Sequence, residues 1–128
     1  MKEPTVPYAI SQDDWDSAIK AIASILANCA KKNETISYGN LYNQIRHLIH
    51  SSPLTGPEDH RFHHMLGEVS TAEHRAGRGM LSVLVVHETG DMKPGRGFFM
   101  LARQLGYAIN DEDAFWISEF ARVCEAWR

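Results

Sequence analysis

The sequence predicts a mainly helical α+β domain with a small sheet. Three observations lead there. Apolar residues recur at helical spacing in five separate stretches. One run, LSVLVV at residues 81–86, is short, branched and apolar on both parities, as a buried strand is. A glycine-rich basic turn, KPGRG, then separates that run from the next helical stretch. With 128 residues, 44% of them hydrophobic and 23% charged, the chain fits one domain around one core, residues 1–128.

The elements follow in order. MKEPTVPYAI reads as an extended lead-in, because Pro4 and Pro7 each remove a backbone donor and restrict the residue before them. Ser11 with Asp14 forms an S-x-x-D capping pattern, and Trp15, Ile19, Ile22, Leu26 and Cys29 place one apolar stripe on a first helix ending near Lys31 to Asn33. A second helix is expected over ISYGNLYNQIRHLIH, capped by Ser37, with Leu41, Ile45, Leu48 and Ile49 inward. SSPLTGPED ends it and forms a loop. His60 to Ala76 resumes helical spacing through Phe62, Leu66 and Val69 and should stop at Gly77. LSVLVV is then the strand, ETGDMKPGRG a loop or hairpin arm, and GFFMLARQLG a short helix closed by Gly106. A last helix starts around Asp111 and carries Phe115, Trp116, Phe120, Val123 and Trp127.

Composition narrows the function classes. No apolar run approaches the length of a membrane span, and the first residues do not read as a signal peptide, so a cytoplasmic protein without a membrane partner is expected. Cys29 and Cys124 lie on apolar helix faces without CxxC spacing and read as buried hydrophobes rather than redox or metal groups. The formal charge of −3 argues against a protein that coats nucleic acid through bulk charge. That average hides an asymmetry: residues 74–103 carry a net +3 and residues 104–128 a net −3. An anionic partner is therefore expected to meet the middle of the chain.

Helices followed by a strand and a Gly/Lys/Arg turn is the order of a winged helix, in which the turn touches phosphate. The stretch from Ile36 to Gly106 also resembles the C-terminal DNA-binding domain of the alkylated-DNA methyltransferases and alkyltransferase-like proteins. ISYGNLYNQI resembles that family's V-S/T-Y-G-E-L-A helix opening, HMLG at 64–67 its R-A-V-G, SVLVV at 82–86 its C-H-R-V-V, and GRGFFMLARQLG its glycine-rich wing and closing helix. The departures carry as much information. Ser82 stands where the family has its alkyl-accepting cysteine, and among Leu81, Val83 and Leu84 no base activates it. The resemblance thus implies the binding scaffold without alkyl transfer. It assigns Tyr38 to the tyrosine that helps rotate a nucleotide out of the duplex, and His64, with Arg61 nearby, to the arginine that fills the vacated stack. Read from the residues alone, Tyr38 is equally an aromatic at a helix start.

Other residues leave alternatives open. Six of the seven histidines fall between His47 and His74, but nothing in their spacing matches a zinc motif, so no metal and no cofactor is expected. Pro94 to Gly97 lacks the phosphate-loop pattern; with Lys93 and Arg96 it is either a plain turn or a phosphate-touching wing. Glu68, Glu73, His74 and His87, with Arg78 and Glu88, could form a hydrolytic site, or an ordinary polar helix face. The last helix cannot turn Trp116 and Trp127 inward together with Phe115 and Phe120, which leaves apolar surface for a protein partner or a homodimer. The first expectation is a non-enzymatic DNA-binding protein using Tyr38, Arg61, His64, Ser82, Lys93 and Arg96. The alternatives are a metal-dependent nuclease or hydrolase and a protein-interaction module.

Overall fold

The computed structural model describes residues 9–88, 90 and 92–128. Helix α1 (Gln12–Lys31) is followed by β1 (Ile36–Ser37), α2 (Tyr38–Ile45), a 3-10 turn at Arg46–Leu48, and α3 (His60–Arg75). A 3-10 segment at Leu81–Leu84 then leads into β2 (Val85–Val86), α4 (Arg96–Gln104) and α5 (Glu112–Ala126). The fold is mainly helical α+β, as the sequence predicts. Most of the lead-in lies outside the described residues.

The helix starts are the expected ones. Ser11 caps α1 by accepting from the Asp14 amide at 3.2 Å, Ser37 caps α2 through Asn40 at 3.1 Å, and Asp111 caps α5 through Ala114 at 3.2 Å. Gly77, at φ +82°, follows the end of α3 in the left-handed conformation that a glycine adopts without penalty. Trp15, Ile22 and Leu26 of α1 pack with Leu41, Ile45, Phe62 and Met65 into one core closed by Leu81, Val83, Leu84 and Val123. Among the described residues no helix is long and apolar enough to cross a membrane.

Two elements differ from expectation. The helix expected over residues 36–50 is shorter, because Ile36 and Ser37 belong to β1 and the α-helix gives way to a 3-10 turn at Arg46. The run at 81–86 is buried as expected, but only Val85 and Val86 are strand. Its first four residues form a 3-10 turn because their backbone finds side-chain partners in the flanking helices instead of a ladder. The Ser82 amide donates to Ser70 Oγ of α3 at 2.8 Å, and the Val83 carbonyl accepts from Trp116 Nε1 of α5 at 3.1 Å. Just before the run, the Met80 amide donates to Glu119 of α5 at 2.8 Å. A buried backbone must be satisfied, and here the neighbouring helices do it. The sheet is the parallel pair β1–β2, with Ile36 opposite Val85 and Ser37 opposite Val86.

The link between α3 and this segment passes too close to α5 to tolerate a side chain. Gly79 has φ +86°, and a Cβ there would lie 2.9 Å from Val123 Cγ2 and 3.2 Å from Glu119 Oε2. Gly79→Ala should therefore lose about 2 kcal/mol or more of unfolding free energy in a urea titration, since strain and overpacking add. A loss below about 0.5 kcal/mol, the range of neutral surface changes, would contradict the close approach.

Candidate functional site

A groove of about 760 Å³ runs between α3 and α4. One wall is the face of α3 that carries His64, Glu68, Thr71 and Arg75, residues three or four apart and therefore stacked along one side of the helix. The opposite wall is α4, through Phe98, Leu101 and Gln104. The two helices approach at Gly67, where a Cβ would sit 3.7 Å from the Leu101 side chain. From His63 to Arg75 the α3 wall extends about 18 Å. Ser82 joins the lining from the 3-10 segment.

One end of the groove is built by strand register. Because Ser37 pairs with Val86, the residues that follow the two strands, Tyr38 and His87, emerge side by side, with ring centroids 5.0 Å apart. His63 of α3 packs against the same tyrosine at 5.2 Å, and its Nε2 lies 2.9 Å from the Pro57 carbonyl. The Tyr38 hydroxyl accepts from the Gly95 amide at 2.8 Å, tying α2 to the start of α4. Burial pushes the Tyr38 phenol up, so it stays protonated at neutral pH. A Cβ on Gly95 would lie 3.2 Å from His87 Nε2 and 3.3 Å from the Tyr38 hydroxyl, so a side chain there would push these groups aside by a few tenths of an ångström. Tyr38 is thus a buried pillar, while His63 and His87 are the ring systems beside it that also line the groove.

Ser82 Oγ is bonded to another hydroxyl rather than to a base. The Ser70 hydroxyl donates to it at 2.5 Å, while Ser70 Oγ accepts from the Ser82 amide. A serine held this way is not deprotonated for attack. Having accepted from Ser70, its own O–H remains as a donor for an acceptor atom in the groove. Both cysteines lie outside the groove, and burial raises both thiols, which disfavours the reactive thiolate.

Of the six residues expected to face DNA, Tyr38, His64, Ser82 and Arg96 line this groove. Arg61 and Lys93 do not. Arg61 turns to the 51–59 loop, where it pairs with Asp59 at 2.8 Å and donates to the carbonyls of Ser52 at 3.2 Å and Pro53 at 3.0 Å. Lys93 forms an ion pair with Asp113 of α5 and lines a separate cleft. The hydrolytic set is divided. Glu68 and His87 line the groove, although the Glu68 carboxylate accepts from Trp15 Nε1 at 2.5 Å. Glu73 instead pairs with Arg78 at 2.6 Å, and His74 Nδ1 lies 3.0 Å from the Tyr107 hydroxyl. Among the described residues no three His, Cys, Asp or Glu side chains converge as metal ligands would. Trp116 of α5 and Trp127 just after it are both half-buried, the former bonded to Val83 and the latter beneath the Arg78 guanidinium at 5.3 Å, while Ile117 is exposed.

Three participants escaped the sequence reading. Arg75 and His63 line the groove, and Arg75 was detectable as the residue that continues the 64, 68, 71 face of α3. Glu119 is buried to 3% exposure behind the groove. Its Oε2 accepts from the Met80 amide and from the Tyr107 hydroxyl at 3.0 Å, and Arg122 stands 3.6 Å from Oε1. With its proton given to Glu119, the Tyr107 oxygen accepts from Arg122 at 2.9 Å, and His74 must carry its proton on Nδ1 to donate as well. The signal was a carboxylate on an apolar stripe, four residues after Phe115 and four before Val123.

No protein-family model, curated protein or solved structure matches this chain.

Proposed function

We propose that the protein is a non-enzymatic DNA-binding protein of the alkyltransferase-like type, and that the groove between α3 and α4 receives an altered or extruded base. The observation that carries this reading is the convergence of Tyr38, His64, Ser82 and Arg96 on one groove. Around them the groove offers ring surfaces at His63 and His87, a hydroxyl donor at Ser82, and cations at Arg75 and Arg96. Ring faces suit a base, a fixed donor suits a base edge, and guanidinium groups at the rim suit backbone phosphate. The pairing of Ser82 with Ser70 rather than with an imidazole favours binding without covalent chemistry.

The test is fluorescence anisotropy with labelled duplex and single-stranded DNA, at two salt concentrations and with and without magnesium, each sample being run on a gel for cleavage. Saturable binding that weakens with salt and leaves the DNA intact is expected. In Arg75→Ala with Arg96→Ala, the slope of log K against log salt should fall by about 2, one counterion per lost phosphate contact. Absence of wild-type binding at low salt would overturn the reading. Magnesium-dependent cleavage would replace it with the nuclease alternative and send attention to Glu68 and His87.

A further inference from the structure

The start of α4 has a second face. Adjoining the groove at Arg96 is a cleft of about 180 Å³ lined by Lys93, Arg96, Phe99, Glu112 and Asp113. Here the basic residues of the turn meet the acidic first turn of α5. Lys93 pairs with Asp113, whose side chain is 60% exposed, and Arg103 donates to Glu112 Oε2 at 3.0 Å. Arg96 lies 3.9 Å from the same Glu112 oxygen, with its own side chain 77% exposed. Arg96 is the residue common to both faces: it lines the groove and the acidic cleft.

We propose that Glu112 and Asp113 act as built-in counterions, occupying in the free protein the positions that the phosphates of a nucleic-acid backbone take in the complex. This inference rests on the DNA-binding reading and adds a regulatory contact to it. The pairs are suited to exchange. They lie at the surface, where an ion pair is weak and competes with other anions. Glu112 keeps Arg103 when Arg96 turns to a phosphate, so the release of Arg96 leaves no carboxylate stranded. Asp113 has Lys93 as its ion-pair partner, so release of the lysine leaves a carboxylate beside the incoming phosphate. The acids therefore lower affinity, and they reject a weakly charged ligand more strongly than a polyanion. The −3 charge of the C-terminal segment beside the +3 of the middle segment has the same reading: its first-turn acids screen the binding face until phosphate displaces them.

The experiment compares wild type, Glu112→Gln with Asp113→Asn, and a charge-matched control, Asp13→Asn with Glu125→Gln, whose acids lie outside both faces. Anisotropy against the same labelled duplex is read at two salt concentrations, with melting temperatures recorded to verify folding. The first double variant should bind about fivefold more tightly at low salt, the scale expected from releasing two surface pairs, and the control should change less than about twofold. Equal affinities of the two double variants, with wild type binding DNA, would overturn the counterion role and leave the DNA-binding reading standing. If neither wild type nor the first double variant binds, both fall.

Discussion

Glu119→Leu is expected to lower the unfolding free energy by about 3 kcal/mol, because the change strands several groups at once. The Met80 amide and the Tyr107 hydroxyl lose their acceptor, and Arg122 loses the carboxylate beside it. Glu119→Gln keeps an acceptor oxygen and should lose only about 1 kcal/mol, the difference between a charge-assisted and a neutral hydrogen bond. Urea titrations of the two variants measure the difference, and equal, small losses would show that the carboxylate is not needed there. A second consequence separates this role from bulk packing. Met80 immediately precedes the segment that carries Ser82, so Glu119→Leu should also weaken whatever binds the groove, at temperatures where the variant is still folded.

The second large effect is expected at Arg61, which the family resemblance assigns to DNA and the structure holds against the 51–59 loop. Arg61→Ala leaves Asp59 buried without its guanidinium and frees the carbonyls of Ser52 and Pro53, a loss of about 3 kcal/mol. The salt dependence of DNA binding should be unchanged in the same variant. A normal melting temperature with a reduced salt slope would reverse this assignment. The pH profile gives an independent check. The Arg61 guanidinium beside Asp59 holds its carboxyl well below the usual carboxylate range, and the Ser51 amide and hydroxyl lower Asp14 in the same direction. Both folded values lie below the unfolded ones. Their stabilisation is therefore complete above about pH 4 to 5 and is lost as pH falls towards the folded values. Asp59→Asn should flatten that acid limb of the stability curve, and an unchanged limb would locate its origin elsewhere.

What could be read from the chain and what could not divide along a physical line. The caps at Ser11, Ser37 and Asp111 and the break at Gly77 are local devices, and each stands where its residue type predicts. The stripe of α1 through Trp15, Ile22 and Leu26 is likewise a property of spacing alone. Only Val85 and Val86 of the buried run at 81–86 are strand, because the backbone before them is partnered by Ser70 and Trp116, side chains on helices distant in the chain, and no local pattern announces such partners. The site divides in the same way. Arg75 sat in plain view on the α3 face, whereas the contact of Tyr38 with His87 depends on which residues the strands pair, and two residues of strand carry no register signal. The basic turn was legible as charge. That α5 would supply its counterions was not, since only the fold brings Asp113 to Lys93.

The two-residue ladder between β1 and β2 has a kinetic meaning. It joins position 36 to position 85, so α2, the 51–59 loop and all of α3 lie within the stretch of chain that it closes. Closing so long a stretch of chain costs entropy that so few hydrogen bonds cannot repay alone; the apolar packing behind them must form in the same event. The end of the groove at Tyr38 and His87 is then coupled to the core and is expected to open only with the whole. Amide exchange at Val86 should follow global unfolding, so that a nascent or partly denatured chain presents no half-made pocket to a ligand.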